Sequence, residues 1–316
     1  MSALPPARTL AAFALCLLAL TAAGCGGGGS GDGGGSISAD GSSTVGPYMT
    51  AAAEDFQKEN AAVRITVGVS GTGGGFERFC RGETDISDAS RPIKEEEAAI
   101  CTDNNVEYVE FEIANDALTV TVNQQNDWAT CLTVAELNAI WKPGSTVKNW
   151  DQVKSGYPDE GLKLFGPGTD SGTFDYFTGE INGKEGASRT DYAASEDDNV
   201  IVQGVGGEKG GLGYLGFSYY EQNEDTLNAV EVDGGDGCVA PSAETAQNGT
   251  YKPLSRPLYV YVKKSSFAQP AVENFIGYIL ENEIAIAEKV GFVPLNEEQL
   301  TKAKSDYQSA VEEAKS

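Results

Sequence analysis

The sequence predicts an α/β protein of two domains, the second inserted into the first, with a cleft between them. Three observations carry that expectation. From Ile37 onward the chain repeats extended apolar segments, glycine- and hydroxyl-rich turns and stretches of helical spacing, the signature of strands joined by crossover helices in a mostly parallel sheet. At 316 residues it is longer than one domain commonly runs. Two extended stretches far apart in the chain, "VEYVEFEIANDALTVTVN" at 106–123 and "SRPLYVYVKK" at 255–264, are placed to cross between domains.

The elements follow in order. Arg8 precedes an apolar stretch, "TLAAFALCLLALTAA", that ends in "AAGC" at 22–25. It is too short and too rich in small residues for a membrane span and reads as an export signal, residues 1–25, with Cys25 as the lipidated first residue of the mature chain. Plain secretion is the alternative. "GGGGSGDGGGS" at 26–36 is a flexible tether. Next come a strand "SISADG", a turn "SSTVGP" and a helix through "YMTAAAEDFQKEN". A second strand "VRITVGV" ends in "SGTGGG", before the helical spacing of "FERFCRGE". Between the two crossover stretches lie "TVAELNAIW", "LFGPGTDSGTFDYFTGEI" at 164–181 and "GVGGEKGGLGYLGFS" at 204–218. After them comes an amphipathic helical pattern, "PAVENFIGYILENEIAIAEKVG", closed by glycine. The first domain is therefore expected from 37–114 with 256–316, and the second from 115–255.

Composition excludes several functions. The 22 Lys and Arg stand against 47 Asp and Glu, a formal charge of −25, which argues against nucleic acid or an anionic membrane surface as partner and leaves a lipid anchor as the route to a membrane. The chain has no histidine, which removes Ser-His-Asp and Cys-His catalysis and the commonest zinc ligand. Outside the signal and anchor cysteines, Cys80, Cys101, Cys131 and Cys238 remain. In an exported chain an even count favours disulfides. Of the three possible pairings, Cys80 with Cys101 and Cys131 with Cys238 keeps each bridge inside one domain; no CxxC spacing supports a metal.

The turn at 164–181 admits several chemistries. Ser171 as a nucleophile, for instance in a phosphate-ester hydrolase, has no histidine as base and no G-x-S-x-G elbow. A Walker loop needs lysine where Thr173 stands. Anion capture fits better than a plain structural bend: N–H groups at a helix start bind an oxyanion, Ser171 and Thr173 add hydroxyls, and Gly172 allows close approach. Two more such turns, "GSSTVGP" at 41–47 and "SGTGGGF" at 70–76, also follow a strand and precede a helix. Three of them meeting in one cleft is a specific signal. Lys209 in the further glycine-rich loop at 204–218 reads as an exposed lysine, the acidic run "KEEEAA" as a solvated face, and Trp128, Trp141 and Trp150 as core.

The order "GSSTVGP", "SGTGGGFERF", "DISDASRPI" and "GTDSGTFDYF" resembles the phosphate-binding proteins of ABC phosphate importers, the PstS family, over about Ile37 to Lys289. The resemblance implies a two-domain periplasmic-binding-protein fold, each domain a mixed sheet flanked by helices, that closes on inorganic phosphate and delivers it to transmembrane permease subunits as a monomer, with no cofactor and no catalysis of its own. It places Ser43 and Thr44 in the first phosphate-contacting turn, Thr72 in the second, and Ser171, Gly172 and Thr173 in the third. Two positions depart from the family pattern: Pro167 stands where many members have arginine, and Ser90 where many have an aspartate that accepts the ligand's proton. Arg91 is the expected replacement cation, and Asp88 or Asp170 the expected acceptor. A buried carboxylate accepts from protonated phosphate but repels sulfate. The competing ligand classes are sulfate, molybdate and tungstate on the same fold, and the competing roles are phosphate sensing or surface adhesion.

Overall fold

The computed structural model describes residues 34–169 and 171–316. The export signal with Cys25, most of the tether, and Asp170 lie outside the described residues. The first half of the chain alternates as expected: β1 (Gly35–Gly41), α1 (Gly46–Glu59), β2 (Val63–Val69), α2 (Gly71–Cys80), β3 (Ile86–Ala89) and α3 (Glu95–Asp103). β1 pairs in parallel with β2 on one side and β3 on the other. Then comes β4 (Tyr108–Asn123), one unbroken strand of sixteen residues whose later half is buried on both faces. That burial explains its near-continuous run of apolar and β-branched residues.

The middle of the chain adds β5 (Cys131–Thr133), α4 (Val134–Trp141), β6 (Lys163–Gly166), α5 (Gly172–Asn182), β7 (Ala193–Ala194), α6 (Asp198–Gly207), β8 (Gly211–Gly216), α7 (Phe217–Glu221), β9 (Leu227–Ala229), β10 (Glu231–Asp233), β11 (Cys238–Val239) and α8 (Ala243–Gln247). The chain returns through β12 (Ser255–Lys263) and closes with α9 (Pro270–Glu281), α10 (Glu283–Lys289) and α11 (Glu297–Ala314). The main sheet runs β2-β1-β3-β12-β4-β8-β6-β7, with β9 also on β4; β11-β10-β5 form a small second sheet. Pairing is mixed: β12 is antiparallel to both β3 and β4, and β4 is antiparallel to β8.

β4 carries the division of the molecule. Its Tyr108–Ala117 half pairs with β12, and its Leu118–Val122 half with β8. Correspondingly, Phe111, Ile113 and Ala114 enter one apolar core with Ile37, Tyr48, Phe56, Leu258, Val260 and Phe275, whereas Leu118, Val120 and Val122 enter another with Trp141, Trp150, Phe177, Tyr214 and Tyr251. In the second core Trp141 meets the ring of Tyr214 edge-on at 4.9 Å, and Phe177 stacks on Tyr214 at 3.8 Å. Trp141 and Trp150 are fully buried, and Trp128 packs partly buried against them. Lys209 lies 5.6 Å over the Trp128 ring and 4.0 Å from Glu160.

Both favoured disulfides form: Cys80–Cys101 ties α2 to α3, and Cys131–Cys238 ties β5 to β11. Three elements differ from expectation. The glycine-rich stretch at 204–218 is not a loop but the end of α6, β8 and the start of α7. The "SGTGGG" segment is not a separate turn before the helix but its first turn, since α2 begins at Gly71. Gly75 shows why glycine is needed there: a Cβ on it would stand 2.6 Å from the Gly41 Cα and 2.8 Å from the Asp40 carbonyl oxygen, so the helix start lies directly against β1. The amphipathic pattern after β12 is two helices, broken at Asn282. Its Nδ2 donates to the Tyr278 carbonyl at 2.9 Å, and a side chain competing for helix carbonyls favours a break.

Candidate functional site

The first two hydroxyl-rich turns line one cleft of about 1000 Å³, and the third reaches it through Gly172, with Ser171 and Thr173 set back from the lining. Each sits where a strand passes into a helix, at the edge where ligands collect in such sheets. In the first, Ser42 is buried and its Oγ accepts from the N–H groups of Thr44 at 3.1 Å and Val45 at 3.4 Å. That tightens the turn and leaves Ser43 and Thr44 facing the cleft. The Ser43 hydroxyl has no partner among the described residues.

The second turn is tied to the end of β3. Thr72 Oγ1 lies 3.1 Å from Ser90 Oγ and accepts from the Ser90 N–H at 3.2 Å. Both residues line the cleft. Beneath them buried Asp40 accepts from the Ser70 N–H and hydroxyl at 3.0 and 2.8 Å and pairs with Arg78.

In the third turn Ser171 caps α5, its Oγ accepting from the Thr173 N–H at 3.2 Å. Gly172 brings this helix start against the first turn: a Cβ there would lie 2.8 Å from Thr44 Oγ1 and 3.2 Å from the Thr44 Cα. The glycine thus makes room for the opposing turn as much as for a ligand. Thr44 and Gly172 come from opposite sides of the cleft, and their contact brings the N-termini of α1 and α5 together.

The charged groups are placed differently from the expectation. Arg91 lines the cleft, but both its Nη atoms are bound to Glu97, each at 2.8 Å. Glu97 belongs to the acidic run expected to be a solvated face, so part of that run is structural. Asp88 is fully buried and lies outside the lining of the cleft. It alternates with Ser87 and Ala89 in β3 and faces the same way as Ile86, into the core behind the first turn. Neither of its carboxylate oxygens has a hydrogen-bond partner among the described residues. Burial, with the charge of Asp40 adding to it, pushes its pKa up to about 8.

The cation that sequence reasoning missed is Arg256. It stands at the head of β12, opposite Asp116 of β4 in the register. Its Nε and Nη2 both donate to Asp116 Oδ2 at 3.2 Å, Nη2 also donates to Thr44 Oγ1 at 3.2 Å, and its guanidinium lies 3.5 Å over the Tyr176 ring. Tyr176 is fixed in turn by donating its hydroxyl to the Pro253 carbonyl at 2.8 Å. The available signal was an arginine opening an otherwise apolar strand, with an aspartate inside the other crossover strand. Carboxylates of Asp175, Glu180 and Glu185 also line the cleft; burial raises the first two, and the charge of Glu185 raises both further.

Chemically, this arrangement suits a small oxyanion. It offers helix N-termini, neutral hydroxyls and one clamped guanidinium, and no histidine to move a proton. Residues 27–283 match the family model described as PBP superfamily domain. The chain is 49% identical over 275 residues to Protein SphX of Synechocystis sp., covering 86% of this chain and 82% of that protein. It is 41% identical over 271 residues to the phosphate-binding protein PstS of Staphylococcus saprophyticus, covering 85% and 83%. Among solved structures, a possible phosphate binding protein from Planctomyces limnophilus superposes with a TM-score of 0.84 at 45% identity, over 87% of this chain and 98% of that one.

Proposed function

The chain belongs to the periplasmic-binding-protein superfamily, among the PstS-type phosphate-binding proteins, and on that premise we propose that it captures inorganic phosphate in this cleft and hands it to an ABC importer. The observation that carries the reading is the meeting of three helix starts at one place, two lining the cleft with hydroxyls and the third brought in by Gly172 packed against Thr44. Ser43, Thr44, Thr72, Ser90, Ser171, Gly172 and Thr173 surround the anion. Neutral donors and helix dipoles offset its charge, which is how a chain of net charge −25 holds a dianion.

The two cores act as lobes, 37–114 with 256–316 and 115–255, joined through β4 and β12, and phosphate stabilises their closed arrangement. The chain is exported. Cys25 carries the lipid that holds the monomer at the outer face of the membrane, near the permease subunits; among the described residues no helix is long and apolar enough to cross a membrane. The protein binds and releases without catalysis. Calorimetric titration with phosphate tests the binding, and saturable one-to-one heat is expected. Turnover of a phosphate ester that disappears in Ser171→Ala would overturn the non-enzymatic part.

A further inference from the structure

We propose that Arg256 is the anion-contacting arginine of the cleft, supplying from a crossover strand the cation that Pro167 denies to the third turn. This deepens the phosphate reading and rests on it. Four observations carry it.

The first is position. Arg256 lines the cleft, and through Thr44 and Tyr176 it touches the turn leading into α1 and the second turn of α5.

The second is preorganisation. A carboxylate from β4, a hydroxyl from the first turn and an aromatic face from α5 hold the guanidinium from three elements, and only 18% of the side chain is exposed. A guanidinium held this way loses little freedom when an anion arrives.

The third is the edge left over. Nε and Nη2 are occupied by Asp116 and Thr44, while Nη1 makes no hydrogen bond to any described residue. Nη1 is thus the guanidinium nitrogen left to donate to an oxyanion in the cleft.

The fourth is the state of the other cations that line the cleft. Arg91 has spent both its Nη atoms on Glu97, and Lys94 and Lys252 are exposed, where an ammonium is well hydrated and adds little.

Removing Arg256 alone would strand the buried Asp116 carboxylate, so the test uses the shape-matched neutral pair Arg256→Gln with Asp116→Asn, beside Arg256→Lys and Arg91→Ala, in the full chain. Calorimetry with inorganic phosphate and thermal unfolding without it are measured for each. The neutral pair is expected to unfold near the wild-type temperature yet bind phosphate about 10- to 100-fold more weakly, the range for a lost charge-assisted hydrogen bond. It does so although removing Asp116 takes away a negative charge that opposes the anion. Arg256→Lys also weakens binding, because a point charge does not replace the fork, and Arg91→Ala stays within about threefold of wild type. If the wild-type chain binds phosphate and the neutral pair binds it equally well, or if Arg91→Ala shows the larger loss, the assignment to Arg256 is wrong while the phosphate reading stands. If the wild-type chain gives no heat with phosphate, both fall.

Discussion

Gly172 shows how one hydrogen in place of a methyl group sets the closeness of two ligand turns. With the Cβ position 2.8 Å from Thr44 Oγ1, Gly172→Ala has to push α5 and the first turn apart. The variant is expected to lose about tenfold or more in phosphate affinity, a cost of roughly 1.4 kcal/mol or above, with little change in unliganded unfolding, as calorimetry and thermal scans on the same sample will show. Asp88 acts through stability. Its folded-state pKa of about 8 lies above the ordinary carboxylate value. Between those two values the folded chain keeps a proton that the unfolded chain has released, and stability therefore falls as pH rises through that window. Buried Glu283, pushed up to about 7, adds in the same direction. Asp88→Asn is expected to flatten part of the decline in urea-unfolding free energy toward pH 8; an unchanged slope would contradict the buried, proton-holding state assigned to this side chain.

The elements that position the site were mostly legible, because strand, glycine turn and helix alternate in the sequence itself. The limits of that legibility have physical causes. "SGTGGG" reads as a turn since glycine is a poor helix former, yet contact with Asp40 and Gly41 of β1 admits nothing larger at Gly75, and packing overrides propensity. At the break both the backbone N–H and the Nδ2 of Asn282 donate to the Tyr278 carbonyl, a side-chain contact that periodicity does not register. The bridges are a further test at this scale. Cys131–Cys238 encloses 107 residues of sequence separation and joins two short strands of the small sheet. Replacing both cysteines by alanine is expected to cost about 2–4 kcal/mol in the second core, seen as a lower denaturant midpoint. A midpoint equal to wild type would mean that the small sheet holds without its bridge.

At the scale of the whole molecule, β4 and β12 do two things at once: they divide the chain into two cores and bring Asp116 and Arg256 together at the cleft. The division was readable from two extended stretches at the right separation. The ion pair was not, because it follows from register between residues 140 positions apart, and sequence reasoning turned to Arg91, the arginine nearest a ligand motif. The acidic balance, which argued against nucleic acid, is compatible with the proposed anion capture, because neutral donors and the Arg256 guanidinium at the cleft offset the charge locally. The central claim is that this cleft binds phosphate. Titrating the purified full-length chain with phosphate and with sulfate between about pH 5 and pH 8, where phosphate keeps a proton and sulfate does not, tests it directly. The account predicts saturable one-to-one binding that is tighter for phosphate throughout; tighter binding of sulfate, or no heat with phosphate, would contradict it.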